Sequence, residues 1–185
     1  ILVVSPGPVF FRQQRLGYMG QLFQCWKFRT MRVGVDSAVH HSYLTTLIHS
    51  DTPMTKLDSR SDPRIIPLGH LLRQTALDEL PQLFNVLGGD MSLIGPRPCL
   101  PYEAQEYSLW HAGRFATLPG LTGLWQVSGK NRTTFKEMIR FDLAYIRNMS
   151  PAMDAVILLK TVPAIIAQIK DFLSQSKGDQ NEELP

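Results

Sequence analysis

The 185-residue chain has little cysteine, and its cysteines have no partners in sequence. Cys25 and Cys99 lie far apart and form no CxxC or Cys/His spacing, so neither a zinc site nor a disulfide framework is indicated. A reducing compartment fits that usage. The adjacent His40 and His41 point to different sides of a helix or strand, and no HExxH accompanies them. No GxGxxG and no GxSxG occurs. Gly123 to Lys130 falls short of a P-loop, because five residues separate Gly123 from Gly129 and Asn131 stands where Ser or Thr would hold magnesium. These absences argue against a Rossmann dehydrogenase, an α/β-hydrolase and a P-loop ATPase. No uninterrupted apolar run approaches the roughly 18 residues of a spanning helix, so the reading expects no segment that crosses a bilayer.

Acidic residues are missing from the first 35 positions, where Arg12, Arg15, Lys27, Arg29 and Arg32 stand alone. That segment presents a local anion-attracting surface although the whole chain carries only +3. Phosphate, an anionic membrane surface and RNA are candidate partners. With 44% hydrophobic and 19% charged residues, the chain can build a core without disulfides or a structural metal. It opens on the apolar tetrad Ile1–Val4, consistent with a fragment of a longer protein.

The pattern predicts an α+β fold, mostly helical, with a small N-terminal β-hairpin. The hairpin spans Val9 to Arg32, turning near Leu16–Gly20. Gly34 to Ser61 reads as loop with a helical turn or two, and Leu68 to Leu72 as a short helix. Thr75 to Leu87 reads as one helix, with Thr75 as N-cap, a true start nearer Leu77 and Gly88-Gly89 as its end. Gly95-Pro96-Arg97-Pro98 must be a rigid loop, Pro101 to Phe115 a helix, and Leu118 to Asn131 a Gly-punctuated loop. Helices follow over Phe135–Asn148 and Pro151–Leu173, the second interrupted at Pro163. Its wide apolar face suits either core packing or a membrane interface. Residues 1–176 form one catalytic domain in this reading, with a polar tail over 177–185.

The chemistry centres on Asp78-Glu79, with Arg73 before it and Arg97 after it. Adjacent carboxylates are costly to gather unless cations or a metal offset them. At a helix N-terminus an ionised Asp suits nucleophilic attack on phosphorus, with Glu holding Mg²⁺. An ordinary capping box, Thr75-x-x-Asp78, explains the same residues without catalysis.

The longer stretches carry a resemblance. Ser5-Pro-Gly-Pro-Val-Phe-Phe-Arg-Gln, Lys27-Phe-Arg-Thr-Met31, Asp62-Pro-Arg-Ile, Leu72 through Leu83, Asn85 through Pro98, Pro119 through Gly129 and the Asp142…Tyr145 helix occur in order. The chain resembles the bacterial sugar transferase family, the monotopic polyprenyl-phosphate sugar phosphotransferases that begin exopolysaccharide and O-antigen assembly. The resemblance implies a phosphotransferase in which Asp78 attacks the sugar-bearing phosphorus of a UDP-sugar, UMP leaves, and polyprenyl (undecaprenyl) phosphate takes the sugar phosphate. It implies Glu79 as a ligand of Mg²⁺. Lys27, Arg29, Arg73, Arg97, Gln126 and Arg132 are the expected phosphate and nucleotide contacts, with Asp90, Pro98, Asp142 and Tyr145 in support. It places the protein on the cytoplasmic face of the bacterial inner membrane, with homo-oligomers left open and nucleic acid not expected.

Two departures stand out. The family carries a re-entrant hydrophobic helix before the Ser-Pro-Gly-Pro stretch, of which only Ile1–Val4 could remain here, and acceptor binding depends on it. Ser128-Gly129-Lys130 replaces the commoner Ser-Gly-Arg, keeping the charge and losing the guanidinium fork. Two rivals from other classes remain at this stage: a catalytically silent membrane-surface module that binds nucleotide or phospholipid, and an RNA-binding domain built on the basic aromatic hairpin.

Overall fold

The computed structural model describes residues 1, 5–34, 38–54, 62 and 64–182. Most of the Ile1–Val4 tetrad therefore lies outside the described residues. The hairpin forms as expected: β1 (Phe10–Leu16) pairs antiparallel with β2 (Leu22–Phe28), from Phe10 opposite Phe28 to Leu16 opposite Leu22. Met19 and Gly20 carry positive φ at the turn, which tightens the reversal. Because strand side chains alternate, this register puts Arg15, Cys25 and Lys27 on one face and Phe10, Trp26 and Phe28 on the other. On the second face Phe10 meets Phe28 and Trp26 at ring-centroid distances of 5.5 and 5.8 Å. Arg12 lies over Trp26, so part of the N-terminal basic charge is spent on a cation–π contact.

The segment expected to be mostly loop contains a 12-residue helix, α1 (Ala38–His49). Leu44, Leu47 and Ile48 recur at i, i+3 and i+4, and all three enter the core. The adjacent His40 and His41 share one partner: His40 Nδ1 lies 2.7 Å from the Tyr102 hydroxyl, and the His41 ring packs edge-on to the same tyrosine at 4.6 Å. Tyr102 spans the step between them.

The helix expected over Thr75–Leu87 is broken into pieces. α2 (Gly69–Gln74) ends at Thr75, whose hydroxyl donates back to the Leu71 and Leu72 carbonyls instead of capping a new helix. Ala76 then takes a left-handed conformation at φ 58°, and residues Leu77–Glu79 form a single 3₁₀ turn. Pro81 follows, and α3 (Gln82–Leu87) begins after it, ending at Gly88. A proline cannot donate to a preceding turn, and it confines the 3₁₀ turn to three residues.

β3 (Ser92–Ile94) pairs in parallel with β4 (Gly120–Thr122), and β4 falls inside the Leu118–Asn131 segment expected to be loop. The glycines there have a steric reason: a Cβ on Gly120 or Gly123 would overlap the backbone of Gly95. The predicted Pro101–Phe115 helix is segmented into α4 (Pro101–Gln105), α5 (Leu109–Ala112) and a 3₁₀ turn over Gly113–Ala116. α6 (Leu124–Val127) follows β4. α7 (Phe135–Arg147) starts on a reciprocal capping box, with the Thr134 N–H donating to Glu137 Oε2 and the Glu137 N–H to Thr134 Oγ1. The main core joins Leu44, Leu47 and Ile48 of α1 to Leu100, Trp125, Phe135, Met138 and Ile139.

α8 (Pro151–Glu182) runs through Pro163 and past Leu173, where the sequence suggested an end. It corrects the expectation that no segment is long and apolar enough to cross a bilayer: Pro151–Lys170 passes by length and composition, with mean hydropathy 1.7. Asp154 and Lys160 interrupt the apolar run without lowering its average below that of a spanning helix. Only 6% of that window is buried. Ile157 joins Ile94 and Tyr145 in a small second core, whereas Leu159 and Val162 are 76% and 61% exposed.

Candidate active site

The Asp78–Glu79 turn packs against β2. Lys27 Nζ donates to Glu79 Oε1 at 2.6 Å, with 37% of the Glu79 side chain still open to solvent. Burial would raise the Glu79 carboxyl, but the Lys27 charge and hydrogen bond, aided by Lys130 and Arg15, hold it down at about 2. Glu79 is an anion throughout the physiological range. Asp78 is buried beside it, 8% exposed. The cations gathered here, more than a helix terminus, make the paired carboxylates tolerable, because a three-residue turn has no developed macrodipole.

Lys130 completes the group. It follows Gly129 in a left-handed backbone, with φ 36°. Burial lowers its ammonium, as do Lys27 and Arg97, while Glu79 and Asp78 draw it upward. The site thus brings Lys27, Asp78, Glu79 and Lys130 into one electrostatic cluster from β2, the 3₁₀ turn and the loop after α6.

The remaining expected contacts sort by what they touch. Arg29 is buried and donates to Pro8 O at 2.6 Å, Ser5 O at 2.7 Å and Ser5 Oγ at 3.0 Å. It binds the Ser-Pro-Gly-Pro segment to the end of β2. Arg73 reaches Thr30 Oγ1 at 3.3 Å. Arg97 lies 3.1 Å from Glu103 Oε1, and Glu103 Oε2 also accepts the Leu100 N–H. Arg132 is exposed. Gln126 Oε1 is buried and, among the described residues, accepts no hydrogen bond, so it is an acceptor in need of a donor.

The expected support residues hold the frame. Asp90 Oδ2 accepts from Asn85 Nδ2 at 3.1 Å, and the same amide donates to Gln24 O while Asn85 Oδ1 accepts the Trp26 N–H. Asn85 so locks α3 to β2. The Pro98 carbonyl accepts from buried Arg15 at 2.9 Å. Asp142 is paired with Arg114 at 2.6 Å, each side chain 1% exposed. Burial lifts the Asp142 carboxyl to about 6 against the pull of Arg114. The Tyr145 hydroxyl donates to Asp154 Oδ1 at 2.9 Å, joining α7 to α8.

The sequence singles out neither Arg114 nor Glu103, and Arg15 counts there only in the N-terminal basic block. Arg114 donates to the Arg97 carbonyl and the Tyr107 hydroxyl, both at 2.8 Å, so it and Arg15 hold two successive carbonyls of the Gly95–Pro98 loop. Arg15 reaches Pro98 across 83 residues and Arg114 pairs with Asp142 on α7, contacts that no local pattern marks, while Glu103 bonds nearby Arg97 and Leu100 without forming a recognisable motif. Cys25 and Cys99 are buried free thiols whose pKa is raised by burial, so neither is a ready nucleophile. A groove of about 450 Å³ lined by Trp110, Arg140, Leu143, Ala144 and Arg147 contains none of the dyad residues.

Two carboxylates are the donor set with which proteins commonly hold Mg²⁺ when substrate phosphates complete the coordination. Lys27 engages Oε1 of Glu79, and the exposure of that side chain leaves it accessible to a cation. Among the described residues no larger group of His, Cys, Asp and Glu could form a closed metal cage. The residues fit a metal shared with a phosphorylated substrate.

A family model described as bacterial sugar transferase matches residues 1–168. Exopolysaccharide production protein ExoY of Sinorhizobium fredii is 38% identical over 159 residues, covering 86% of this chain and 70% of that protein. An undecaprenyl-phosphate galactose phosphotransferase of Salmonella typhimurium is 39% identical, covering 86% of this chain and 34% of its own. A UDP-glucose:undecaprenyl-phosphate glucose-1-phosphate transferase of Xanthomonas campestris pv. campestris is 40% identical, over 89% of this chain and 33% of its own. With its dyad, its Gly-Pro-Arg-Pro loop and these relatives, the chain belongs to the bacterial sugar transferase family.

Proposed function

We propose that this chain is a phosphotransferase that moves a sugar 1-phosphate from a UDP-sugar to undecaprenyl phosphate, releasing UMP, in the first membrane step of exopolysaccharide or O-antigen synthesis. The observation that carries this reading is a buried Asp78 beside an ionised Glu79, both set among Lys27 and Lys130.

An oxygen of the Asp78 carboxylate attacks the sugar-bearing phosphorus. The new O–P bond forms as the bond to the bridging oxygen breaks, and UMP leaves with that electron pair. An oxygen of undecaprenyl phosphate then attacks the same phosphorus, and Asp78 departs as a carboxylate. Neither step requires a general base, since both nucleophiles are anions. Lys27 and Lys130 offset negative charge developing on the phosphoryl oxygens in a partly dehydrated site, where such charges act most strongly. Glu79, with Asp78 beside it, would hold Mg²⁺, which when bound supplies Lewis-acid neutralisation of the diphosphate. Arg15 and Arg114 keep the Gly95–Pro98 loop rigid, and the unmet Gln126 acceptor suits an N–H donor such as that of a uracil ring.

The outward apolar surface of α8, including Leu159 and Val162, supports seating at a lipid surface. The reading places that surface on the cytoplasmic side, where nucleotide sugars are found. A screen of UDP-glucose and UDP-galactose with Mg²⁺ and undecaprenyl phosphate, scored by UMP release, tests the activity and names the sugar. Failure of full-length protein to release UMP from these or any other UDP-sugar would revive a silent nucleotide- or phospholipid-binding module.

A further inference from the structure

α8 buries Ile157 but leaves most of its other large apolar side chains facing outward. Val156, Leu159, Val162 and Ile166 are exposed, whereas the side chains it sends inward include hydroxyl and amide groups that hydrogen-bond to the domain. Thr161 Oγ1 lies 2.9 Å from Thr122 Oγ1 in β4. Seven residues on, at the spacing of two helical turns, Gln168 makes three bonds. Its Oε1 accepts from Lys130 Nζ at 3.0 Å, and its Nε2 donates to Gln74 O at 2.8 Å and Arg73 O at 3.2 Å.

These bonds fix the amide's orientation. Turned over, it would set N–H groups against an ammonium and an oxygen against two carbonyls, which is repulsive at both ends. Both ends also lie at the dyad. Gln74 closes α2, and two residues later the left-handed Ala76 opens the turn that carries Asp78 and Glu79. Lys130 faces Asp78 and Glu79 from the turn, Lys27 from β2 and Arg97 from the Gly-Pro-Arg-Pro loop. A lysine ammonium on its four-carbon stem loses substantial freedom when fixed, so a dedicated acceptor decides where it stands.

We infer that Gln168 is a positioning residue, clamping the Lys130 ammonium to the backbone that presents the Asp78–Glu79 dyad. Through it the exposed apolar helix and the phosphoryl-transfer site are parts of one hydrogen-bonded unit. The assignment rests on the proposed role of the dyad.

A double-mutant cycle on the full chain tests it, with UMP release from the UDP-sugar that the wild type uses. Lys130→Met and Gln168→Leu are each expected to lower kcat by about 10- to 100-fold, as misplacement of a charge-stabilising group does, with a smaller change in KM. Gln168→Leu should cost nothing further in the Lys130→Met background, because its effect runs through the ammonium. Losses that multiply, or a wild-type kcat for Gln168→Leu, would overturn the clamp. If Gln168→Leu fails to fold, Gln168→Met, which keeps the side-chain length and removes both polar ends, enters the same cycle under the same criterion. Wild-type turnover by Asp78→Asn would remove the dyad reading whatever the cycle shows. An inactive Asp78→Asn beside a multiplicative cycle would remove the role of Gln168 alone.

Discussion

Lys27 Nζ and Glu79 Oε1 are joined at 2.6 Å across 52 residues of chain. The bond fastens the 3₁₀ turn to β2 and decides the charge of the carboxylate next to Asp78. Since Glu79 is held at about 2, below its ordinary 4.5, it contributes stability that is present above about pH 4.5 and lost as pH falls through 2. Lys27→Met should flatten that part of the acid limb and raise the Glu79 carboxyl. Unfolding midpoints of both proteins between about pH 2 and 6 check this, and parallel curves would contradict it.

The buried pair of Arg114 and Asp142 predicts a different pH response. Arg114→Met leaves a carboxylate with 1% exposure unpaired and should cost about 3–5 kcal/mol near neutrality. With the Asp142 pKa already raised by burial to about 6, the carboxylate form is the disfavoured one. Its penalty is full at alkaline pH and disappears below the unfolded-state pKa near 4. The variant should therefore recover relative stability as pH falls from about 8 to 5. Denaturant midpoints across that range would show it.

Gly123 has no room for a side chain, because a Cβ would overlap the Gly95 carbonyl. Gly123→Ala should destabilise by at least about 1–3 kcal/mol, the usual cost of overpacking, and should lower turnover by moving the Gly95–Pro98 loop. Thermal unfolding measured alongside UMP release separates the two effects.

The outward face of α8 predicts lipid association without a role in the fold. Leu159→Ser with Val162→Ser removes two of its most exposed apolar side chains. Binding to vesicles of undecaprenyl phosphate in anionic phospholipid should weaken, with the unfolding midpoint nearly unchanged. Unaltered vesicle binding would count against seating through this face.

How far the sequence could be read follows from where the controlling contacts lie. The hairpin and α7 were legible because their determinants are local: alternation and a Gly turn for the hairpin, Thr134 with Glu137 for α7. The break in the expected Thr75–Leu87 helix was not, because Ala76 is a good helix former by propensity and takes φ 58° only in its tertiary setting. α1 was obscured by its polar residues, although Leu44, Leu47 and Ile48 carried the helical period. The dyad could be identified from the motif resemblance, as could Lys27. Arg29 was expected as a phosphate contact, and only the fold shows it donating to Ser5 and Pro8. Arg114 and Gln168 gave no signal at all. Each acts on backbone or side chains far along the chain, and no spacing rule reaches that distance.

The mechanism requires a covalent phosphosugar on Asp78, which mass analysis of that residue detects without an intervening assay. Full-length protein mixed with UDP-sugar and Mg²⁺ in the absence of undecaprenyl phosphate, then quenched and digested, should yield the Asp78 peptide heavier by one sugar phosphate. Release of UMP should match the adduct formed, and Asp78→Asn should give neither while unfolding at the wild-type temperature. An unmodified Asp78 in turning-over wild type, or an Asp78→Asn variant that still transfers sugar phosphate, would contradict the account.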